Sequence, residues 1–503
     1  MNAMMRNGER IAAAAVPVMP LADFRTAVIA DVQAGKRLAA LFVHPHEADG
    51  LRLCAVLADD RAGGLSVCAA AVADTYPALT PECPQAHWFE REIAEQWGLM
   101  PAGHPWLKPI RYQRSSRADH DAWGRAPNAD ILPGVTDFFK VEGDEVHEVA
   151  VGPVHAGIIE PGHFRFQCHG ERVLHLEIAL GYQHRGVERA LCGGPDLRTP
   201  HYFETLAGDT SIGHALAYAE AVEGLSATPA PPRAEALRAI ALELERLANH
   251  TGDLGALAGD VGFLPTAAYC GRIRGDFLNM TALLCGNRFG RGLVRPGGVM
   301  FDLDATLAYE LARRLAVAFK DVRNAVELLW ESASVTGRFE HTGTLTRETA
   351  LAIGLVGPAT RASGLERDVR RDFPSGAYRR LSVPVATWPT GDVFARAQVR
   401  WLEVQRAITF IQTQLAALPG GPCAVDAGAP AAVAFVVTLC EGWRGEICHV
   451  ALTDAQGRYT RCKVVDPSFH NWFGLALAMR GQQISDFPLC NKSFNLSYCG
   501  HDL

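Results

Sequence analysis

The sequence predicts an α+β fold made of two unequal parts. A small N-terminal α+β domain, residues 1–112, precedes a larger, mostly helical domain with peripheral β-strands, residues 138–503. Short apolar runs between turn residues predict strands in the first part. Long stretches with alanine and leucine at three- and four-residue spacing predict helices in the second. A polar segment rich in proline and glycine, residues 113–137, separates the two and is typical of a linker.

The composition is that of an ordinary globular protein and limits the possible partners. The 503 residues are 48% hydrophobic and 20% charged, with a net charge of −7. An acidic chain lacks the basic face that phosphate neutralisation requires, so nucleic acid is excluded as a partner. The apolar stretches 11–21 and 431–440 are interrupted by proline or too short to span a bilayer, which takes about 20 residues. We therefore expect a cytoplasmic protein that reaches the membrane only through partner subunits.

The N-terminal domain shows the pattern of a small sheet with a helix. Residues 39–43 and 51–57 are apolar runs bounded by turn residues, which predicts two strands. A helix is predicted over residues 85–99, because Pro84 precedes it and Gly98 lies near its end.

The larger domain alternates between strand and helix patterns. Residues 138–154 alternate like a strand, and residues 431–453 are typical of a β-ribbon that turns between Gly442 and Gly445. Helical periodicity covers residues 209–223, 233–258, 303–332 and 391–417.

The cysteines do not predict a metal cluster. The chain has 13 cysteines and no Cys-x-x-Cys, whereas iron–sulfur and zinc sites usually show such short spacings. We expect reduced thiols packed as small hydrophobic side chains. The sequence also lacks a dinucleotide-binding glycine motif, a Walker loop and a zinc-hydrolase motif, so NAD or nucleotide chemistry is not expected in this chain.

Polar side chains concentrate in a glycine- and proline-rich turn. Residues 152–166 contain His155, Glu160, His163 and Arg165 between two predicted strands. Such a turn is either a tight hairpin with satisfied histidines or a loop that points polar groups into a cavity.

Three further charged segments stand out. Residues 181–189 contain His184, Arg185 and Glu188, a pattern typical of a charge-paired helix end. In the helical stretch 242–253, Arg, Asn, His and Asp share one face that is either solvated or lines a polar interface. Residues 357–371 are expected to form a charged, glycine-rich loop.

Taken together, these motifs resemble a known family. Residues 89–99, with Gly103-His104-Pro105, resemble the signature of the C-type subunit of bacterial NADH:quinone oxidoreductase, complex I. From residue 151 onward the chain resembles the D-type subunit of complex I and the large subunit of group 4 membrane-bound [NiFe] hydrogenases, such as formate hydrogenlyase and hydrogenase-4. The motifs that carry this second resemblance are residues 152–155, 184–188, 245–250, 295–298, 361–364, 391–393, 444–446, 466–469 and 486–498.

The sequence departs from the hydrogenases where they hold their metals. The family binds nickel and iron through four cysteine thiolates, and here those positions are Ala207, Thr210, Ser497 and Gly500, with Cys499 one residue out of place. Alanine and glycine have no ligating side chain, and neutral hydroxyls are poor ligands for soft metal sites. The resemblance therefore implies a subunit without its own NiFe centre, and hydrogenase activity is not expected.

The resemblance also assigns roles to individual residues. It implies a quinone cavity in which His155, His163 and Tyr202 are catalytic, since a histidine suits proton donation to a quinone carbonyl. Arg198 takes the place of a tyrosine that complex I uses. The remaining expected cavity residues are Arg165, Arg198 and His214, and the expected structural or coupling residues are His184, Arg185, Glu188, Arg246, His250, Arg361 and Arg444.

The function implied by the resemblance is that of an oxidoreductase subunit at the inner face of the cytoplasmic membrane. It would pass electrons from an iron–sulfur cluster on a partner to quinone or a related acceptor, coupled to ion translocation, with no cofactor bound directly. Expected partners are a small iron–sulfur subunit, antiporter-like and anchor membrane subunits, and a formate dehydrogenase-like or NADH-oxidising module. The alternatives are a redox-silent scaffold and coupling subunit, or a residual hydrogenase with unusual ligation.

Overall fold

The structure is a computed structural model that describes residues 2–48 and 50–503. Its N-terminal part combines a sheet with two helices. The elements are β1 (Ala3–Met5), β2 (Arg10–Ala12), α1 (Leu21–Gln33), β3 (Arg37–His46), β4 (Gly50–Asp59), β5 (Gly64–Ala71), β6 (Thr75–Pro77), α2 (His87–Trp97) and β7 (Met100–Ala102), with 3₁₀ helices at Ala13–Ala15 and Pro84–Ala86.

The first sheet is antiparallel, with strand order β1-β5-β4-β3. Strands β3 and β4 confirm the two strands predicted from the apolar runs, and α2 confirms the predicted helix. Helix α2 ends at Gly98, which adopts φ 64° and donates its amide hydrogen to the carbonyl oxygen of Ala94. A left-handed residue at this position favours glycine, since it has no Cβ to clash.

The segment between the two parts is irregular. Residues 103–145 contain no helix or strand among the described residues. The strand expected over residues 138–154 forms only as β8, because a turn in which the amide of Val146 donates to Gly143 interrupts its first half. The segment is nevertheless held in place: Lys108 Nζ lies 2.7 Å from Glu177 Oε1, and the amide of Phe139 donates to Glu177 Oε2.

The second part contains most of the helices. Its strands are β8 (Val146–Val151), β9 (His163–His169), β10 (Arg172–Ala179), β11 (Val294–Arg295), β12 (Gly298–Val299), β13 (Ala434–Gly442), β14 (Gly445–Thr453) and β15 (Tyr459–Val465). Its helices are α3 (Val187–Leu191), α4 (Thr199–Glu204), α5 (Ser211–Ser226), α6 (Pro232–Asp260), α7 (Leu264–Cys285), α8 (Ala305–Trp330), α9 (Ala333–Phe339), α10 (Arg347–Ala352), α11 (Gly357–Arg361), α12 (Val369–Asp372), α13 (Val393–Ala416), α14 (Pro467–Ala478), α15 (Phe487–Phe494) and α16 (Tyr498–Asp502).

The long helices form a layer around α6. Helix α6 packs on α7 and α13, and α7 packs on α8. The predicted helices correspond to α5, α6, α8 and α13, whereas α7 is not predicted. Its sequence mixes glycine, arginine and apolar residues, so no continuous apolar stripe marks it.

The second large sheet lies inside this part of the molecule. Its strand order is β15-β14-β13-β2, and every residue of β13 and β14 is buried, with α5 packed against both strands. The predicted ribbon with its turn between Gly442 and Gly445 is confirmed. Strand β2 comes from the N-terminal part and pairs Ile11 with Phe435, so the two parts share one sheet.

The prediction of a loop over residues 357–371 is wrong in part, because two short helices form there. Helix α11 begins with Pro358 in its first turn, a position where the missing amide of proline costs nothing. Helix α12 is capped by Asp368, whose carboxylate accepts the amide hydrogen of Arg370.

No helix in the described part of the chain is long and apolar enough to cross a membrane.

Replacing Gly98 by alanine tests the left-handed end of α2. A Cβ at this position would lie 2.6 Å from the carbonyl oxygen of His120. The backbone of the alanine would also have to adopt φ 64°. We expect a loss of about 1–3 kcal/mol of stability, seen as a lower thermal unfolding midpoint. The matched control is Gly271→Ala in α7, where no atom lies within 4 Å of the new methyl group and stability should be unchanged or higher. Equal midpoints for the two variants would contradict this account.

Candidate functional site

Two distant segments of the chain, which carry the four positions expected from the resemblance to be replaced metal ligands, meet in the fold. One is the stretch 207–210 before α5, and the other is 497–500 at the start of α16. Arg185 joins them: its Nη2 donates to the carbonyl oxygen of Leu206 at 2.9 Å and to that of Cys499 at 3.2 Å. The positions that the sequence marked as replaced ligands therefore converge on one place in the fold.

A bidentate ion pair lies at this place. Arg444 donates from Nη1 to Asp209 Oδ1 at 2.5 Å and from Nη2 to Asp209 Oδ2 at 2.9 Å, and its guanidinium lies 3.9 Å from the ring centre of Trp443. Burial alone would raise the pKa of Asp209, but the charge and hydrogen bonds of Arg444 outweigh it and lower the pKa below its usual value. The carboxylate of Asp209 is therefore ionised and fully paired at neutral pH.

A chain of hydrogen-bonded polar side chains lies beside this ion pair. His214 Nε2 is 3.0 Å from Asp466 Oδ2, and His214 Nδ1 is 3.1 Å from His449 Nε2. His214 and Asp466 are completely buried. Burial and the neighbouring His214 lower the pKa of His449, which is therefore neutral. Asp466 also caps α14 by accepting the amide hydrogen of Ser468 at 2.8 Å.

The C-terminal segment uses its polar groups internally. Ser497 Oγ accepts the amide hydrogen of Gly500 at 2.9 Å and so caps α16. Glu160, from the turn after β8, accepts the amide hydrogen of Cys499 at 3.2 Å. Burial and the charge of Glu160 raise the pKa of the Cys499 thiol to about 11, so this thiol is protonated at neutral pH.

These residues do not fit a centre that needs four thiolates. Ala207 and Gly500 have no donor atom, and the hydroxyl of Ser497 is committed to its cap. A Cβ at residue 500 would lie only 2.7 Å from the carboxylate carbon of Asp466. A cysteine there would overlap Asp466 unless that side chain moved, so both the donor set and the space disagree with a NiFe site.

The histidines of the polar turn are bound to backbone oxygens. The turn connects β8 and β9, as the sequence predicted. His155 Nε2 lies 2.9 Å from the carbonyl oxygen of Gly162, and His163 Nδ1 lies 3.4 Å from that of Gly152. Arg165 Nε donates to His163 Nε2 at 3.1 Å. Burial lowers the pKa of His163, so its ring is neutral.

The other expected cavity residues are carried by α4 and α5. Arg198 is exposed and precedes α4, and Tyr202 is half-buried within that helix. His214 lies in α5, in the polar chain with Asp466 and His449. The six expected residues of the quinone cavity thus lie on three parts of the chain: the β8–β9 turn with the start of β9, helix α4 with the residue before it, and helix α5.

Glu188, which the resemblance marks as a structural or coupling residue, joins the two parts of the molecule. Its carboxylate lies 2.7 Å from Arg461 Nη1 and 3.0 Å from Lys463 Nζ, and Lys463 Nζ also lies 2.6 Å from Glu92 in α2. Burial would raise the pKa of Glu188, but the two cations lower it far below its usual range. His184, close by, bonds through Nδ1 to the carbonyl oxygen of Asp502 at 2.7 Å.

A larger charge network surrounds Glu403 of α13. Arg361 Nη2 lies 2.6 Å from this carboxylate, His250 Nε2 lies 2.7 Å from it, and Arg246 Nη1 lies 3.3 Å from it. Arg246, His250 and Arg361 are completely buried. The polar face of α6 therefore lines a polar interface, and the alternative of a solvated face is wrong.

Comparison with known proteins identifies the family. The family model of the 30 kDa subunit of respiratory-chain NADH dehydrogenase matches residues 30–123, and that of the 49 kDa subunit matches residues 260–434. Formate hydrogenlyase subunit 5 of Escherichia coli K12 is 31% identical over 442 residues, which are 84% of this chain and 76% of the relative. The chain belongs to the family of fused complex I-type and group 4 hydrogenase large subunits.

Two further relatives come from the two branches of this family. Carbon monoxide-induced hydrogenase of Rhodospirillum rubrum is 31% identical over 350 residues, which are 69% of this chain and 97% of the relative. NADH-quinone oxidoreductase subunit 4 of Thermus thermophilus is 31% identical over 369 residues, which are 68% of this chain and 90% of the relative. The predicted order of a C-type module before a D-type module is confirmed.

For this fused large subunit, sequence reasoning missed several residues that shape the site. Asp209 lies between two of the replaced ligand positions, but nothing local indicates that it pairs with Arg444. Glu403 and Glu441, the buried acids bonded to Arg361, lie in ordinary helix and strand patterns. The one available signal was the excess of arginines and histidines on polar helix faces, since buried cations need acidic partners.

Glu245 begins the motif at residues 245–250, but the sequence assigns it no role. It lies in α6, and its carboxylate accepts the amide hydrogens of Ile212 at 2.7 Å and of Gly213 at 3.2 Å at the start of α5. Burial raises the pKa of Glu245 to about 8, because these bonds and the nearby Arg246 do not offset the loss of water and the charge of Asp209.

Glu245→Gln should change the pH dependence of the protein's stability. The pKa rises from 4.5 to about 8 on folding, so the contribution of this carboxyl is fully present below 4.5 and is lost as the pH rises through about 8. We expect thermal unfolding midpoints of the parent to fall more steeply over this interval than those of the variant. Glu327→Gln, on the exposed face of α8, serves as the control. A pH profile of Glu245→Gln that matches the parent would rule out the raised pKa.

Proposed function

We propose that this chain is the large peripheral subunit of a membrane-associated oxidoreductase complex that works without a NiFe centre of its own. In this proposal it passes electrons from an iron–sulfur cluster on a partner subunit to quinone or a related acceptor. Membrane subunits couple the transfer to ion translocation. The observation that carries the proposal is the Asp209–Arg444 ion pair, which lies among Ala207, Thr210, Ser497 and Gly500.

The neighbouring contacts support the absence of hydrogen chemistry. Activation of hydrogen in the relatives named hydrogenases needs soft ligands for the metals. Here the carboxylate of Asp209 is neutralised by Arg444, and the carboxylate of Asp466 is bonded to His214 and to the amide of Ser468. The acids near the replaced positions therefore have partners within the protein and are not preorganised for a metal ion.

The name of the Thermus relative supports quinone as the acceptor, and the β8–β9 turn supplies the candidate proton donors. Reduction of a quinone takes up two electrons and two protons. His155 and His163 each have a ring nitrogen on a backbone carbonyl oxygen, where a ring N–H must be the donor. Delivery of the protons held in these two bonds therefore requires the turn to open and release Gly162 or Gly152.

The proposed partners follow from the complexes that the relatives' names describe. A small iron–sulfur subunit would deliver electrons, and antiporter-like and anchor subunits would hold the chain at the inner face of the cytoplasmic membrane. A formate dehydrogenase-like or NADH-oxidising module would supply the electrons. NAD, where it is used, would bind to that module.

A redox-silent scaffold is the second candidate function, and the hydrogen bonds of the expected proton donors within the protein favour it. His155 and His163 bond to backbone carbonyl oxygens, and His214 is buried and bonded to Asp466. In this alternative the chain keeps its interfaces and couples the partner subunits but binds no quinone.

Substitution of the two turn histidines separates these candidates. In the purified complex with its partner subunits, His155→Ala combined with His163→Ala should lower kcat for quinone reduction by on the order of a hundredfold, because two proton donors are lost. The control is His169→Ala, on the exposed end of β9, which should leave kcat unchanged. A parent complex that assembles but neither binds nor reduces quinone would establish the scaffold.

Metal analysis tests whether the chain lacks a NiFe centre, as proposed. The purified chain, produced in cells that mature an active [NiFe] hydrogenase, should contain far less than one nickel atom per molecule. Formate hydrogenlyase subunit 5 prepared from the same cells is the control for nickel insertion. One nickel atom per molecule of this chain would refute the proposal and would favour the alternative of a residual hydrogenase with unusual ligation.

A further inference from the structure

The outer side of β8 is an uncovered strand edge. In the sheet β10-β9-β8, β8 pairs with β9 on one side, and no other described strand pairs with it on the opposite side. Glu148 and Ala150, in the middle of β8, are exposed. The register with β9 is regular from Val146 to Val151. Such an edge presents backbone N–H and C=O groups that can pair with another chain.

Alternate residues of β8 direct their backbone groups away from β9. In an antiparallel pair, only every second residue exchanges hydrogen bonds with the residue opposite. Val146 lies opposite His169 of β9, yet it donates its amide hydrogen to Gly143 at 3.2 Å, outside the sheet. The backbone groups of Glu148 and Ala150 therefore also point outward. They have no hydrogen-bond partner in the part of the chain that the structure describes.

Two other edge strands show how this protein covers exposed backbone. At the edge of β10, Val173 donates its amide hydrogen to the carbonyl oxygen of Gln482 at 2.9 Å and accepts that of Gly481 at 2.7 Å. At the edge of β15, Tyr459 donates its amide hydrogen to the carbonyl oxygen of Gly194 at 2.6 Å. The chain itself thus supplies the partners of these two edges, whereas it leaves the edge of β8 open.

Strand β8 also lacks the common protections of an open edge. Residues 146–151 contain no lysine and no proline, and the pairing with β9 has no bulge. The one carboxylate of the strand, that of Glu148, is paired with Arg165 and accepts a hydrogen bond from Gln167 Nε2 at 2.9 Å, both in β9. It therefore presents no free charge that would repel an added strand. An open and unprotected edge is suited to a partner strand.

The segment just before β8 is acidic. Glu142, Asp144 and Glu145 are all exposed. Glu145 lies 2.8 Å from His169, but Glu142 and Asp144 form no ion pair among the residues described. Because these two carboxylates have no cation of their own, a cationic segment lying along the edge would complement them.

We propose that the outer edge of β8 is a docking site for an extended, basic segment of a partner protein, which adds to the sheet as a fourth strand. Its backbone would bond to Glu148 and Ala150, and its cationic side chains would lie beside Glu142 and Asp144. Its alternate apolar side chains would extend the face on which Val149 packs against the core. This docking site does not depend on the proposed electron transfer.

A second copy of this chain is a poorer occupant of the edge. Two-fold antiparallel pairing of β8 with itself, centred on its outward residues, places the two Glu148 side chains opposite each other. Like charges directly opposite each other destabilise a strand pair. Such a dimer also supplies no cation to either acidic segment.

Binding of a designed peptide to the purified full-length chain tests this site. The probe is a labelled peptide of alternating lysine and valine, and fluorescence anisotropy measures its affinity. We expect one peptide to bind per chain and to slow hydrogen exchange at the amides of Glu148 and Ala150. A peptide of alternating glutamate and valine should bind about tenfold more weakly, because its charge repels the acidic segment.

Two substitutions at one position separate backbone pairing from side-chain effects. Ala150→Pro removes an outward N–H without removing a bond to β9, and should weaken the lysine–valine peptide about tenfold. Ala150→Val adds a side chain of similar size but keeps the N–H, and should leave the affinity unchanged. A lysine–valine peptide with all its backbone amides N-methylated makes the same test without altering the chain, and should not bind.

Each contrary result identifies a different failure. The proposal is overturned if the lysine–valine peptide does not bind, if it binds without slowing exchange at Glu148 and Ala150, or if the N-methylated peptide or Ala150→Pro gives the parent affinity. Sedimentation of the chain alone tests the other occupant: a parent dimer that Ala150→Pro abolishes, but Ala150→Val does not, would assign the edge to a second copy and would also overturn the proposal.

Discussion

The carboxylate of Glu403 is the point on which the interior of this protein depends. Three buried side chains contact this one acid of α13: Arg361 from α11, and Arg246 and His250 from α6. Breaking a buried ion pair by removing one partner costs about 3–5 kcal/mol, because an uncompensated charge stays behind. The helices that carry these residues must therefore come together in a single arrangement.

The same network positions the candidate site. Arg246 donates from Nη2 to the carbonyl oxygen of Glu441 at 2.7 Å, at the end of β13, and from Nη1 to that of Gly442 at 3.3 Å. These bonds fix the turn between β13 and β14. Arg444 lies in this turn, so the position of its guanidinium, and with it the pair to Asp209, follows from charges on α6 and α13.

In the proposed function, this chain keeps the fold of its family without a NiFe centre. The polar groups around the expected ligand positions must then find partners within the protein. Here an ion pair, a histidine–aspartate pair and two helix caps satisfy the polar groups. The β8–β9 turn remains beside them through the contact of Glu160 with Cys499.

The sequence by itself determined the local elements and the family. Apolar periodicity located β3, β4, α6 and α13, because it records which face of each element is buried, and ordered motifs identified the two fused modules. Only the tertiary structure decided that β2 completes the sheet of the second part and that Arg444 meets Asp209. Long-range charge pairs produce no periodic pattern in the sequence, since each partner alone cannot be told from an ordinary polar residue. Their geometry exists only after the helices and the central sheet have packed together.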